Sequence, residues 1–268
     1  MNAGTDMTPS LQVTIDPRGV ATFKMNRPDV RNAFDEEMIG AICDAFGRYG
    51  HDDAVRAIIM TGAGKSFCAG ADLNMMQRVA EYSADENRDD ARRLAYMLNT
   101  INSCSKPVIA QVNGPAIGGG VGIVAACDIA VAAEEAFFSL SEVRLGLIPA
   151  VISPFVVQAI TPNEARRWFL TGERFAASTA KRIGLVHMVA MGAQLDATVD
   201  ALMQNVLAGG PNAQREAKAL INAVAFKPID GKVMEDTANR IATVRASAEG
   251  REGITSFLEK RKPSWVKE

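Results

Sequence analysis

Two short stretches put bare backbone where a reactive ligand could reach it: AGAD at 69–72, and the triple glycine Gly118, Gly119, Gly120 inside NGPAIGGGVGIVAACD at 113–128. A glycine in a helix costs about 1 kcal/mol relative to alanine, so three in a row at a helix start make sense only if the naked backbone is used. Amide N–H groups at a helix N-terminus have no internal partner, and the helix dipole adds partial positive charge there. Two such amides aimed at one point form an oxyanion hole, which stabilises a carbonyl oxygen as it gains negative charge. Gly122 follows the run after one residue and needs its own explanation.

Two nucleotide-binding signatures come close and fail on spacing. GKS at 64–66 would need a glycine at position 59 to make a phosphate loop, and Ile59 stands there. GVGIVA at 120–125 fits G-x-G-x-x-A, but the strand before it is expected to end near Val112, and a dinucleotide fingerprint opens directly after its strand.

The elements that must position the two stretches are legible. LQVTID at 11–16 and GVATFKM at 19–25 alternate in polarity around Pro17 and Arg18 and read as a hairpin. NAFDEEMIGAICDAFGRYG has helical spacing, with Asn32 as the expected N-cap. AVRAIIMTG at 54–62 and SKPVIAQVNG at 105–114 read as buried strands, DIAVAAEEAFFSL at 128–140 as two short ones, and residues 83–103 as an amphipathic helix. Strands alternating with helices imply a mainly parallel sheet, hence an α/β fold. After residue 160 the pattern is mostly helical, which divides the chain into a core over 1–195 and a helical region over 196–268.

Composition narrows the function classes. The 268 residues are 48% apolar and 22% charged, with no apolar run of 18 or more, so no membrane span is expected. A formal charge of −2 and the lack of a basic, aromatic-laced stripe argue against nucleic acid. Cys43, Cys68, Cys104 and Cys127 form no CxxC pair, and His51 and His187 are the only histidines, so free thiols are expected and no metal site. MNAGTDMTPS lacks the basic start and apolar stretch of a signal peptide, which points to the cytosol. An anionic ligand would need local cations, and Arg27, Arg31, Lys65 and the KRK at 260–262 are candidates.

Taken together, NRPDVRNAF, SFCAGADL, KPVIAQVNGPAIGGG, ACDIAVA, FSLSEVRLGLIP, LTGERF with KRIGLV, and FLEKRKPSW resemble the enoyl-CoA hydratase/isomerase (crotonase) family over nearly the whole chain. The resemblance implies a crotonase-like spiral of ββα units and a C-terminal helical region that forms trimers, or hexamers built as dimers of trimers. It implies an acyl-CoA thioester as substrate, CoA being part of that substrate, with no separate cofactor. Ala71 and Gly119 would supply the two N–H groups. Val30, Ala33, Ala69, Gly70, Asp72 and Leu73 would line the CoA path, and Lys260 would reach the CoA phosphates, commonly those bound by a neighbouring subunit.

Hydratases of the family commonly use two glutamates. The second is matched by Glu142 in SLSEVRLG, while the first falls on Gly122. A carboxylate in a dry thioester pocket has its pKa raised, which suits it to proton transfer near neutrality. One carboxylate leaves two chemistries: hydration across C2=C3, or a proton shuttle between C2 and C4 as in a Δ3,Δ2 isomerase. The stretch FSLSEVRLGLIPAVISPFVVQAI resembles the glutaconyl-CoA type of hydratase, which favours hydration, with 3-methylglutaconyl-CoA as the specific substrate. Arg144, Arg78, Arg88 and Arg92 are candidates to pair the terminal carboxylate. PAVIS at 149–153 departs from the glycine-rich PGAGG of relatives, and Gly122 reads as room for a bulky acyl group. A reading from another class is a non-catalytic trimer that binds acyl-CoA.

Overall fold

The computed structural model describes residues 5–266. Seven strands form one sheet in the order β1-β2-β3-β4-β5-β7-β10, where β1 is Thr5–Met7, β2 Leu11–Ile15, β3 Val20–Met25, β4 Ala57–Gly62, β5 Val108–Val112, β7 Ile129–Ala133 and β10 Met188–Ala190. The expected hairpin is the antiparallel β2–β3 pair, and every pairing from β3 to β10 is parallel. β4 is buried at all six residues, as a central parallel strand must be when both faces are covered.

A second sheet holds β6 (Ala116–Ile117), β8 (Phe137–Ser139) and β9 (Arg174–Ala176), with β8 in the middle. Each turn of the chain therefore places one strand in the large sheet and the next in the small one before a helix returns. β5, β6 and then α4 (Gly119–Ala126) make one turn; β7, β8 and then α5 (Ser153–Thr171) make the following one. That is the ββα spiral the resemblance implied. β9 and β10 lie in the part expected to be mostly helical, each only three residues long, too short to show a period.

α1 (Glu36–Tyr49) begins later than expected. Its N-cap is Asp35, whose carboxylate accepts from Met38 N, and not Asn32. Asn32 is fully buried with φ 55°, a conformation asparagine tolerates better than most residues. Its Oδ1 accepts from Arg27 N, and its Nδ2 donates to Ala63 O and Ser66 O, both at 2.8 Å. A local cap is thus traded for a long-range clamp between the early loop and the turn after β4.

α2 spans Leu73–Val79, and α3 spans Ala84–Asn102 with a capping box from Ser83 and Glu86. After α5 come α6 (Ala177–Arg182) and α7 (Leu195–Ala208), which packs on β5 and β7 through its buried apolar residues. α8 (Pro211–Val224) and α9 (Gly231–Ala246) bury no residue, and α10 (Ala248–Leu258) buries only Ser256. Phe226, Ile229, Phe257 and Leu258 are each more than 70% exposed. Among the described residues no helix is long and apolar enough to cross a membrane.

Candidate active site

A cavity of about 390 Å3 opens where the two glycine-containing stretches meet. Its wall includes Ala69, Gly70, Ala71, Gly118, Gly119 and Glu142, with an apolar side built from Met75, Leu94, Leu147 and Ile152. A bridge between Phe34 of the early loop and Ala71 ties down the first stretch, and a bridge between Cys68 and Ala116 sets it beside the second. In the first bridge Phe34 N donates to Gly70 O and Asp72 N donates to Phe34 O, so the amides flanking Ala71 are used and its own N–H faces away from Phe34. Gly119 opens α4, where an amide has no partner one turn back. Neither the Ala71 nor the Gly119 N–H has an acceptor within the described residues. Two free donors border one cavity.

Each glycine of the run answers to a different neighbour. Gly118 has φ 53°, and a β-carbon on it would come 3.3 Å from Glu142 Oε1. A β-carbon on Gly119 would run into the Phe34 ring, 2.6 Å from Cε1. One on Gly120 would strike Cys68, 3.0 Å from its Cβ. Gly70, at φ +88°, is crowded from the opposite side: a β-carbon there would lie 2.9 Å from Ile117 O and 3.6 Å from Gly119 N. The close approach that makes the double-amide site therefore requires these small residues.

Glu142 sits in a short 3-10 turn, Ser141–Leu145, that follows β8 and ends on Gly146 in the left-handed conformation. Its Oε2 is buried without a hydrogen-bond partner, and burial pushes its carboxyl pKa above the ordinary glutamate value. Buried oxygens are nearly always paired, so an orphan one facing a cavity is poised for a ligand. A carboxylate that costs energy to ionise, beside two unpaired amides, is the equipment of an enzyme that moves a proton next to a carbonyl it polarises.

Of the residues expected at the site, Glu142, Ala71, Gly119, Ala69 and Gly70 line the cavity, and Val30, Ala33, Asp72, Leu73 and Lys260 do not. Ala33 is buried, whereas Val30 and Leu73 are exposed beyond the cavity wall, Leu73 at 76%. Asp72 is only 4% exposed and is taken up by Arg27 at 3.1 Å, while its other oxygen caps α2 through Asn74 N. Arg27 also binds Asp35 at 3.0 Å and donates to Ala33 O, so it holds the AGAD turn in place rather than offering a free cation. Lys260 is exposed just after α10, in the left-handed conformation at φ 53°.

The arginines expected to meet a substrate carboxylate are placed otherwise. Arg88 and Arg92 pair with Asp85 and Asp89, Arg78 with Glu36, and Arg144 donates to Thr171 O; none lines the cavity. The i to i+3 spacing on α3 absorbs the first two into local pairs. Arg93 is different, because its partner Asp90, 3.1 Å away, is part of the cavity wall.

The sequence reading missed Phe34 and Ile152. Phe34 stands in NAFDEE as one more apolar residue, and only the bridge to Ala71 reveals its place. Ile152 lies in PAVIS, which the sequence marks as a departure without saying what the isoleucine touches. It touches Gly122: a β-carbon there would be 2.9 Å from Ile152 Cβ and closer still to Cγ2. The space at Gly122 is therefore filled by this chain's own side chain and is not open room for the acyl group.

Fold and site together bring two unpaired backbone amides and a buried carboxylate to one cavity. Residues 16–268 match the model of the enoyl-CoA hydratase/isomerase family, and the chain belongs to that family. It is similar to the crystal structure of an enoyl-CoA hydratase from Shewanella pealeana, with 38% identity, a TM-score of 0.92 and 96% of each chain covered. An enoyl-CoA hydratase structure from Mycobacterium smegmatis matches at 33% identity and a TM-score of 0.91, covering 97% of this chain and all of the other. Crotonyl-CoA hydratase of Syntrophomonas wolfei is 35% identical, covering 92% of this chain and 94% of its own.

Proposed function

We propose that this protein hydrates the C2=C3 double bond of an enoyl-CoA thioester, with Glu142 as its one acid and base, and that the acyl group is of the branched glutaconyl type, 3-methylglutaconyl-CoA. The observation that carries the reading is Glu142, with its Oε2 buried and unpartnered and its Oε1 beside Gly118, on the same cavity as the free amides of Ala71 and Gly119. The thioester oxygen accepts both N–H groups. Glu142 takes a proton from water as the water oxygen bonds to C3, and the electrons of the double bond pass to the thioester oxygen as an enolate. The enolate collapses and C2 takes the proton back from Glu142. Loss of one such amide donor typically costs about 100- to 1000-fold in rate, so the two amides are the larger electrostatic contribution.

The stretch from Phe138 to Ile160, with glycine at 122, supports the branched-acid assignment through its likeness to glutaconyl-type hydratases. Such an acyl group ends in a carboxylate, and Arg93, the ion-pair partner of the wall residue Asp90, is the cation we assign to it. The exposed Phe226, Ile229, Phe257 and Leu258 support assembly into a trimer or a hexamer, in which Lys260 would serve a neighbour's CoA.

The test is the ultraviolet absorbance of the conjugated thioester, followed with crotonyl-CoA and 3-methylglutaconyl-CoA in turn. Absorbance should fall with both, faster with the branched acid. A tenfold preference for crotonyl-CoA removes the branched assignment and leaves a general hydratase. A second reading, Δ3,Δ2 isomerisation, is favoured by the single carboxylate and the apolar wall at Ile152; with a 3-enoyl-CoA it would raise the absorbance instead.

A further inference from the structure

Gly122 and Ile152 are the two positions at which the site departs from the two-acid pattern, and they are in direct contact. Gly122 lies one turn beyond Gly118 and Gly119 on α4, about 5.4 Å along the axis and on the same face. A side chain at 122 would point at Ile152, which lines the cavity, and would need that space to reach the site as a second carboxylate. Ile152 occupies that place. It is 3% exposed, forms part of the cavity wall, and stands at the start of α5 just before Ser153 and Pro154. Because its Cβ and not only its outer methyls lies against Gly122, no rotamer change of Ile152 can admit a side chain there. Leu98 Cδ1 closes the far side, 3.5 Å from the same point. The part of the wall that Ile152 forms is thereby apolar.

We infer that Ile152 is the specificity-determining residue of this pocket: seated in the space that Gly122 leaves, it replaces a second proton relay with an apolar seat for an alkyl branch at C3 of the acyl chain. The thioester oxygen is anchored at the Gly119 amide, and one helical turn further along α4 is the reach of the third acyl carbon and its substituent. A methyl group there meets the isoleucine side chain. A hydrogen there leaves that surface uncovered. Glu142 keeps both proton steps, because neither Gly122 nor Ile152 carries a group that can take or give a proton. The branch preference rests on the enoyl-CoA reading for its ligand class, but it concerns binding and does not require turnover.

Binding of saturated, unreactive thioesters therefore tests it separately from catalysis. Calorimetric Kd values for 3-methylbutanoyl-CoA and butanoyl-CoA differ only by the C3 methyl. The parent should prefer the branched ester by about fourfold, the worth of one buried methyl group. Ile152→Gly should bring the ratio to near one while leaving the Kd for butanoyl-CoA within about twofold. Gly122→Ala should lower Tm in the parent background and raise it in the Ile152→Gly background, because the new methyl then fills the cavity left behind. An Ile152→Gly protein that keeps the parent's ratio overturns the proposal, and so does a Gly122→Ala effect of the same sign in both backgrounds. If Ile152→Gly does not fold, Ile152→Ala carries the ratio measurement with the same expected loss. Failure of the parent to bind either ester sinks the enoyl-CoA reading together with this one, whereas binding without turnover sinks only the hydratase assignment.

Discussion

The ring of Phe34 fills the space that a β-carbon on Gly119 would need, and the backbone of the same residue pairs with Ala71 through the Gly70 carbonyl and the Asp72 amide. One residue thus contacts both of the proposed oxyanion donors, its main chain pairing beside one and its ring lying against the other. This makes Phe34 a positioning residue, and it gives the glycine at 119 a steric reason distinct from its amide.

The two reasons can be separated. Gly119→Ala keeps the N–H but drives a methyl into the ring, and kcat/KM should fall at least about tenfold, since small misplacements in a site are costly. Phe34→Ala in that background should recover part of the loss. Gly119→Pro removes the N–H itself and should cost about 100- to 1000-fold, with no recovery from Phe34→Ala. Equal rescue of both variants would show that the amide is idle.

Glu142→Gln should reduce hydration by about 100-fold or more while CoA binding and fold persist. Burial holds the Glu142 proton on longer in the folded chain than in the unfolded one. The folded state then binds more protons between the two pKa values and loses stability as pH rises through them. The Tm of Glu142→Gln should exceed the parent's by more at pH 8 than at pH 4. The acid limb of the parent's kcat/KM profile should lie above the ordinary glutamate pKa of about 4.3, and should vanish in the variant.

Asn32→Ala strands Arg27 N and Ala63 O, which its side chain now pairs, and leaves Ser66 O with only a 3.5 Å bond from Asn113 Nδ2. Each unsatisfied buried group costs about 1–3 kcal/mol. Denaturant melts should show a loss of several kcal/mol, and kcat/KM should fall with it, because the same loop carries Phe34. Asn32→Asp should rescue little, since it keeps the acceptor and loses both donors.

Light scattering should give a trimer or hexamer, and the double substitution Phe226→Asp, Phe257→Asp should shift it toward monomer. Both side chains are more than 80% exposed in the single chain, so the substitutions should leave the core intact. A parent that is monomeric at micromolar concentration would remove the assembly proposal and the role of Lys260 with it.

Arg93→Ala should raise KM for 3-methylglutaconyl-CoA at least about tenfold and leave crotonyl-CoA unchanged, the pattern of a charged contact made only by the diacid. Equal effects on both substrates would assign Arg93 to holding Asp90 alone.

Much of this protein was written locally enough to be read from its sequence. The hairpin, the buried parallel strands, the amphipathic helix α3 and the bare amides of AGAD and GGG follow from period, turn residues and glycine placement, which act over a few residues. Glu142 was legible through the motif around it. The tertiary structure decided what depends on meetings between distant segments. Asn32 left the cap of α1 to Asp35 because three partners from elsewhere were worth more than one. Arg88, Arg92 and Arg93 were all paired within their own helix, and only the partner of Arg93, Asp90, lines the cavity. Gly122 turned from empty room into a fitted contact with Ile152, thirty residues on. Such outcomes rest on the packing of side chains brought together by the spiral, and steric fit between segments remote in sequence leaves no periodic trace along the chain.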